Sequence, residues 1–315
     1  MRAMAIQAFG GPEQLRPVDL PDPSPGPGEV LIQIVASGVN PVDWKLVAGH
    51  LKQAFPYRFP LVPGWECAGK IEAIGPGVET FRRGDKVWAY ARKPELHDGT
   101  YGELITLNAE AVATVPKKLL FEEAAGVPLT GLTSWQTLRL QGDVKEGAVV
   151  LVHAAAGGLG HLAVQISRAA GARVVGTTSS RNREFVLGLG AEEIVDYTRE
   201  NFVDAVRRLY PQGVDVVLDT MGGEIQTRSL ELLKPGGRLV SVISPPDPAL
   251  CAAHGVRPDY VFVAPSGDQL RSLAALVEKG QLKPHVSKIY PLADAAAALR
   301  ESAAGHVRGK LVLNL

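Results

Sequence analysis

Residues 148–171, AVVLVHAAAGGLGHLAVQISRAAG, decide the fold. Val149, Val150, Leu151 and Val152 form a short apolar run of the kind expected for a parallel strand buried on both faces. The run stops at Ala155, Gly157, Gly158, Leu159 and Gly160, a turn whose glycines let the backbone bend tightly and approach a ligand closely. Leu162, Ala163, Ile166, Ala169 and Ala170 then recur at helical spacing, and Gly171 is the expected C-cap. Unpaired N–H groups and the helix dipole at such a helix start favour phosphate. A second strand, residues 173–177, begins a few residues later, so the stretch predicts a βαβ unit with AxGxxG in place of the GxGxxG dinucleotide fingerprint. A glycine-rich turn that serves only close packing is the other reading.

The end of that second strand indicates the cofactor. An NAD site places Asp or Glu there, about 20 residues past the glycines, to accept from the ribose 2′-OH. This chain reads Thr177, Thr178, Ser179, Ser180, Arg181, Asn182, Arg183 instead, which supplies hydroxyls and two cations where a 2′-phosphate would lie. NADP is therefore the expected cofactor, held by Thr178, Ser179 and Arg181. Residues 193–196, 214–219, 238–242 and 259–264 are further strands, spaced by helix-like stretches around 200–209 and 224–233. The middle of the chain is thus predicted to be a doubly wound α/β domain.

Length and charge bound the rest. A chain of 315 residues is long enough for two ordinary domains. With 33 basic and 33 acidic residues and no long run of either sign, neither nucleic acid nor an anionic membrane is an expected partner. Cys67 and Cys251 lie far apart and outside any CxxC pattern, as in a reducing compartment. The start, MRAMAIQAFGG, has no sustained apolar segment, and nowhere do about 18 uninterrupted apolar residues occur, so a cytoplasmic protein is expected.

Before about residue 125 the character changes to short β-rich runs, 30–35, 67–74, 86–90 and 102–106, separated by turn clusters such as PDPSPGPGE and HDGTYGE. The segments PGPGEVLIQIVASGVNPVDWKLVAG, FPLVPGWECAG and IGPGVETFRRGDKVWA, ahead of AAAGGLG and a tail ending in HVRGKLVLNL, resemble the medium-chain dehydrogenase/reductase superfamily, in particular its zinc-free quinone oxidoreductase and enone reductase branch. The resemblance spans essentially the whole chain. It implies a GroES-like catalytic domain over residues 1–125, completed by 265–315, and a Rossmann domain over 126–264, with the active site in the cleft. It also implies a homodimer through the Rossmann edge strand.

Zinc-dependent relatives carry a Cys at the position of Asn40 and a His at that of Trp65; here the patterns read GVNPVD and GWECAG. Glu66 and Asp43 remain, but two carboxylates without thiolate and imidazole make a poor zinc site, and no metal is expected. The seven histidines are scattered without HxH or HExxH spacing. For the cofactor, the turn residues Ala155, Gly157, Gly158, Leu159 and Gly160 and the strand-end residues Ile243 and Ser244 are candidates, and the resemblance implies further contacts from Asn40, Pro41, Thr130, Thr133, Tyr197, Phe262, Val263 and Lys310. Thr130 and Thr133 read equally as helix hydroxyls bonded to the preceding turn, and Tyr197 as a packed aromatic.

Without a metal, hydrogen-bond donors must stabilise the charge that develops on the acceptor. The catalytic candidates are Asn40, as an amide donor, with Asp43 and Lys45. For Asp43 the alternatives are capping nearby N–H groups or a plain surface ion pair with Lys45. Tyr57 and Trp65 are candidates for an apolar wall against a flat substrate, with a core role the default for Trp65. The expected activity is NADPH-dependent reduction of quinones or α,β-unsaturated carbonyls. The alternatives are a zinc-type alcohol dehydrogenase and a non-catalytic, crystallin-like NADPH-binding protein.

Overall fold

The computed structural model describes all 315 residues, Met1–Leu315. The chain divides into two compact units: Met1–Leu129 with Pro265–Glu278 and Pro284–Leu315, and Thr130–Ala264 with Lys279–Lys283. The first boundary lies four residues beyond the expected one, past helix α2 (Phe121–Ala125) and inside helix α3 (Pro128–Trp135). Residues 279–283 join the second unit because Gln165 holds Lys283 from both sides, donating to its carbonyl at 3.0 Å and accepting from its N–H at 2.8 Å.

The first unit begins with a hairpin of β1 (Arg2–Ala5) and β2 (Arg16–Asp19). Its main sheet comprises β3 (Glu29–Val39), β4 (Glu66–Ile74), β5 (Lys86–Tyr90), β6 (Leu104–Asn108) and β7 (Val112–Thr114), together with two late strands given below. Val30, Ile32 and Ile34 of β3 alternate inward with Cys67, Ile71, Val87, Ile105 and Leu107 into one buried cluster. Helix α1 (Pro41–Val47) follows β3 directly, started by Asn40 and by a proline whose fixed φ suits the first helical position.

The second unit is a six-stranded, wholly parallel sheet. Its strands are β8 (Val149–Val152), β9 (Arg173–Thr178), β10 (Glu193–Asp196), β11 (Val214–Asp219), β12 (Leu233–Ser241) and β13 (Arg257–Tyr260), in the order β10-β9-β8-β11-β12-β13. The order reverses beside β8, the switch point at which doubly wound sheets bind ligands. The expected strand over 259–264 is shorter and starts earlier. Its ladder to β12 ends at Tyr260 opposite Ser241, and after Val261 N–H reaches the Ser241 carbonyl no strand remains to pair with. The late strands of the first unit are β14 (Val286–Pro291) and β15 (Lys310–Asn314), and β15 pairs antiparallel with β3.

One buried histidine anchors the switch point. His153 stands at the end of β8 between Thr177 Oγ1, 3.2 Å away, and Ser229 Oγ, 2.9 Å away. Burial pushes its pKa down from 6.5 to about 4, against a smaller opposing pull from the Asp219 carboxylate. The folded protein holds this ring neutral, so its contribution is complete above pH 6.5 and is lost as pH falls through 6.5 toward 4. Replacing His153→Gln is expected to flatten this acid limb, worth about 3 kcal/mol at full extent, in urea unfolding followed between pH 4 and 7. An unchanged limb would show that other groups carry it.

Candidate active site

In the first unit, the expected residues converge at the junction of β3 and α1. Asn40 is the N-cap of α1; its backbone N–H donates to Asp43 Oδ2 at 2.8 Å, and Asp43 N–H donates to the Asn40 carbonyl at 2.9 Å. Asp43 is fully buried, so it is not half of a surface ion pair with Lys45, and the capping alternative describes it. Tyr101, also fully buried, donates to the same oxygen at 3.1 Å, while Asp43 Oδ1 has no hydrogen-bond partner. Burial raises the Asp43 carboxyl from 3.8 to about 7, and the Glu66 carboxylate adds to the rise. The Asn40 N–H, the Lys310 ammonium and the Tyr101 hydroxyl oppose it. Lys45 is half-buried and lies 5.6 Å over the Trp44 ring.

Beside this cap sits an ion pair without solvent. Lys310, the first residue of β15, places Nζ 2.8 Å from Glu66 Oε1, with side chains 1% and 0% exposed. The same ammonium donates to the Val39 carbonyl at 3.1 Å and to Asn40 Oδ1. Asn40 Nδ2 donates to Glu66 Oε1 at 2.7 Å, and Leu129 N–H donates to Glu66 Oε2 at 2.7 Å. Gly38 makes the close approach possible, because a Cβ there would fall 2.3 Å from Glu66 Oε1 and 2.5 Å from the Ala125 carbonyl oxygen. Glu66 and Tyr101 were not among the expected site residues. Glu66 had a signal, as the acid next to Trp65; Tyr101 had none, since only the fold brings it to Asp43.

Tyr57 and Trp65, the candidates for an apolar wall, each pack against other aromatic rings. Tyr57 is 40% exposed, with ring centroids 4.8 Å from Phe9 and 5.7 Å from Phe59. Trp65 is buried, 6.2 Å from Phe55 and 6.4 Å from Tyr90. Pro41, at the first helical position, is exposed.

In the second unit, the loop after β8 turns through Ala154 at φ 48°, and helix α4 (Gly160–Ala169) starts at Gly160. Ala155 N–H is held by the Thr177 carbonyl at 3.0 Å, so loop and β9 move together. Thr178 and Ser179 lie at the end of β9, and Arg181 is exposed just beyond. Tyr197, Ile243 and Phe262 are exposed, whereas Val263 is buried. Thr130 and Thr133 are buried in their helix, with Thr130 and Thr133 carbonyls accepting from Ser134 Oγ and Thr137 Oγ1 at 2.8 and 2.7 Å.

Sequence reasoning also missed the support under the loops at the ends of β11 and β12. Buried Asp219 accepts from Met221 N–H at 2.9 Å and Gly222 N–H at 2.8 Å through Oδ1. Through Oδ2 it accepts from Gln226 Nε2 at 2.9 Å and Ser241 Oγ at 2.7 Å. Gln226 Nε2 also donates to the Ser244 carbonyl at 3.0 Å. An acid closing an apolar strand was the available signal.

A parallel sheet with a glycine turn at its switch point is the geometry of a dinucleotide site. Residues 26–117 match the alcohol dehydrogenase GroES-like domain, and residues 189–313 match the zinc-binding dehydrogenase domain. A quinone oxidoreductase of Pseudomonas aeruginosa is 34% identical, over 99% of both chains. The chain belongs to the medium-chain dehydrogenase/reductase superfamily.

Two solved members of the superfamily align over the whole of both chains. One is described as an NAD-dependent alcohol dehydrogenase (34% identity, TM-score 0.92) and the other is a mycobacterial protein complexed with NADPH (32% identity, TM-score 0.89). This medium-chain dehydrogenase/reductase is accordingly an oxidoreductase with an NAD(P)-binding domain. Its residues do not fit the zinc in the name of one matching domain. An amide and an indole stand at the positions of thiolate and imidazole, and of the two remaining carboxylates Glu66 is already paired with an ammonium and Asp43 holds the Asn40 N–H. No three His, Cys, Asp or Glu side chains gather anywhere in the chain to hold a metal ion. No helix is long and apolar enough to cross a membrane.

Proposed function

We propose that this protein reduces quinones or α,β-unsaturated carbonyls with hydride from NADPH, without a metal ion. The observation that carries the reading is the Asn40 amide, presented beside a buried Lys310–Glu66 pair where metal-dependent relatives keep a zinc ligand. When bound, the nicotinamide supplies the hydride. Negative charge then develops on the acceptor oxygen, and the second Asn40 Nδ2–H is the donor placed to stabilise it in a site of low dielectric. Solvent completes the reduction by protonating the resulting enolate or hydroquinone anion.

The test is oxidation of NADPH and of NADH by chelator-treated protein, with a panel of quinones and short enones. Turnover that survives the chelator supports the reading, and the best acceptor decides between quinone and enone. Binding of NADPH without turnover would favour the crystallin-like alternative. Alcohol oxidation restored by zinc would favour the alcohol dehydrogenase.

Thr178, Ser179 and Arg181 support the preference for NADPH over NADH. Arg181→Ala is expected to raise the KM for NADPH at least about tenfold, the loss of one charge-assisted contact, and to leave that for NADH unchanged. Equal effects on both cofactors would remove the 2′-phosphate assignment. A homodimer through this edge of the sheet is supported by the exposed rings of Tyr260 and Phe262 at the outer strand β13, since exposed aromatic side chains favour burial against a partner. A monomeric mass in sedimentation equilibrium at micromolar concentration would exclude it.

A further inference from the structure

We propose that Lys310 and Glu66 are positioning residues that fix which end of the Asn40 amide is offered as a donor, and that they act on hydride transfer only through Asn40. The inference rests on the reading that Asn40 stabilises the reduced acceptor.

An ammonium has three N–H donors. Those of Lys310 are matched by three acceptors inside the first unit: Glu66 Oε1, the Val39 carbonyl and Asn40 Oδ1. The side chain therefore has no donor left for a phosphate or a carboxamide, and the cofactor contact that the family resemblance implied for Lys310 would require breaking one of these bonds. The other half of the lock is Glu66. Its Oε2 is held by Leu129 N–H at 2.7 Å, so the carboxylate cannot rotate, and its Oε1 accepts from Asn40 Nδ2 at 2.7 Å.

Asn40 thus meets a donor at its oxygen and an acceptor at its nitrogen. Turning the amide over would set an NH2 group against an ammonium and a carbonyl oxygen against a carboxylate, two repulsive contacts in place of two charge-assisted bonds. The amide keeps one orientation, with its second N–H as the group not engaged by the lock. A lone lysine or a lone carboxylate would leave one end of the amide unspecified.

The test compares Lys310→Met, Glu66→Gln and the double variant with the wild type. Lys310→Met alone strands a buried carboxylate, and its melting temperature is expected to fall. The double variant is neutral and is expected to regain most of that loss. In it, the carboxamide introduced by Glu66→Gln must turn its oxygen to Leu129 N–H, so its NH2 group faces Asn40 and the Asn40 amide turns over. We expect the stable double variant to bind NADPH within about threefold of wild type while kcat stays down at least about 10²-fold, the size seen for removal of one oxyanion donor.

Recovery of kcat together with the melting temperature would overturn the proposal and leave the pair purely structural. A loss confined to NADPH affinity would overturn it in favour of direct cofactor binding by Lys310. A readout that needs no turnover is the Asn40 side-chain amide in 15N-resolved NMR of the unliganded protein, assigned with Asn40→Ala. One slowly exchanging Hδ2 is expected in the wild type and should be lost or shifted in the double variant. A rapidly exchanging wild-type amide, or a signal unchanged in the double variant, would also overturn the proposal. If the wild type shows this signal but reduces no quinone or enone, the functional reading fails and the positional lock stands.

Discussion

Gly160→Ala is expected to abolish tight NADPH binding, with a rise in Kd of at least about 10²-fold, or close to 3 kcal/mol. The added Cβ would lie 2.3 Å from the Ala154 carbonyl oxygen and 2.7 Å from Ala155 Cα. Both are backbone atoms, so no side chain can swing aside. The loop has little room to retreat, because Ala154 already occupies the left-handed region at φ 48°, its N–H is bound to Thr177 Oγ1, and Ala155 N–H is bound to the Thr177 carbonyl. The methyl must push the glycine turn away from the start of α4, which spoils the N–H array that would cradle a pyrophosphate. Fluorescence quenching of NADPH measures the affinity, and far-UV circular dichroism checks that the sheet persists. Wild-type affinity in a folded Gly160→Ala protein would mean that the pyrophosphate does not lie on this turn.

The same stretch shows why the Rossmann-type unit was legible. Strand β8, the glycine turn and α4 are contiguous in sequence, and each carries a local signal: an apolar run, missing Cβ atoms, and period 3.6. Strand β5 was readable to the residue for the same reason, since Lys86–Tyr90 is bounded by Gly84-Asp85 on one side and by Arg92-Lys93-Pro94 just beyond the other. Strand β13 was misplaced because its apolar residues, 260–264, outlast its pairing partner, and a propensity pattern contains no information about where a neighbouring strand ends.

The site was legible only in part. GVNPVD points to Asn40 and Asp43 through its local cap geometry. The partners that determine what those two residues do lie 26, 58 and 270 residues away, at Glu66, Tyr101 and Lys310. The resemblance implied a cofactor contact for Lys310, and only the pairing of β15 with β3 turns it inward toward Val39 and Asn40.

Asp43→Asn is expected to stabilise the protein at alkaline pH and to do little at acid pH. The unfolded carboxyl titrates at 3.8 and the folded one at about 7, raised first by burial and further by Glu66. Between these values the folded state binds more protons than the unfolded state, so stability falls as pH rises through the window. The contribution is complete below 3.8 and lost above about 7. A gap of about 3 pK units corresponds to about 4 kcal/mol. Asparagine imitates the protonated acid: its oxygen can accept from Asn40 N–H and Tyr101 as Asp43 Oδ2 does, and its NH2 group replaces the unpartnered Oδ1. It carries no charge to repel Glu66 or attract Lys310. The difference in unfolding free energy between variant and wild type, from urea titrations at pH 5 and pH 8, should therefore grow with pH by a few kcal/mol in favour of asparagine. Taking the difference cancels every group that titrates alike in both proteins, including His153, whose slope runs the opposite way at acid pH. A variant less stable than wild type by the same amount at both pH values would mean that the Asp43 carboxylate is ionised and paired in the native protein, and that Lys310 outweighs burial at this cap.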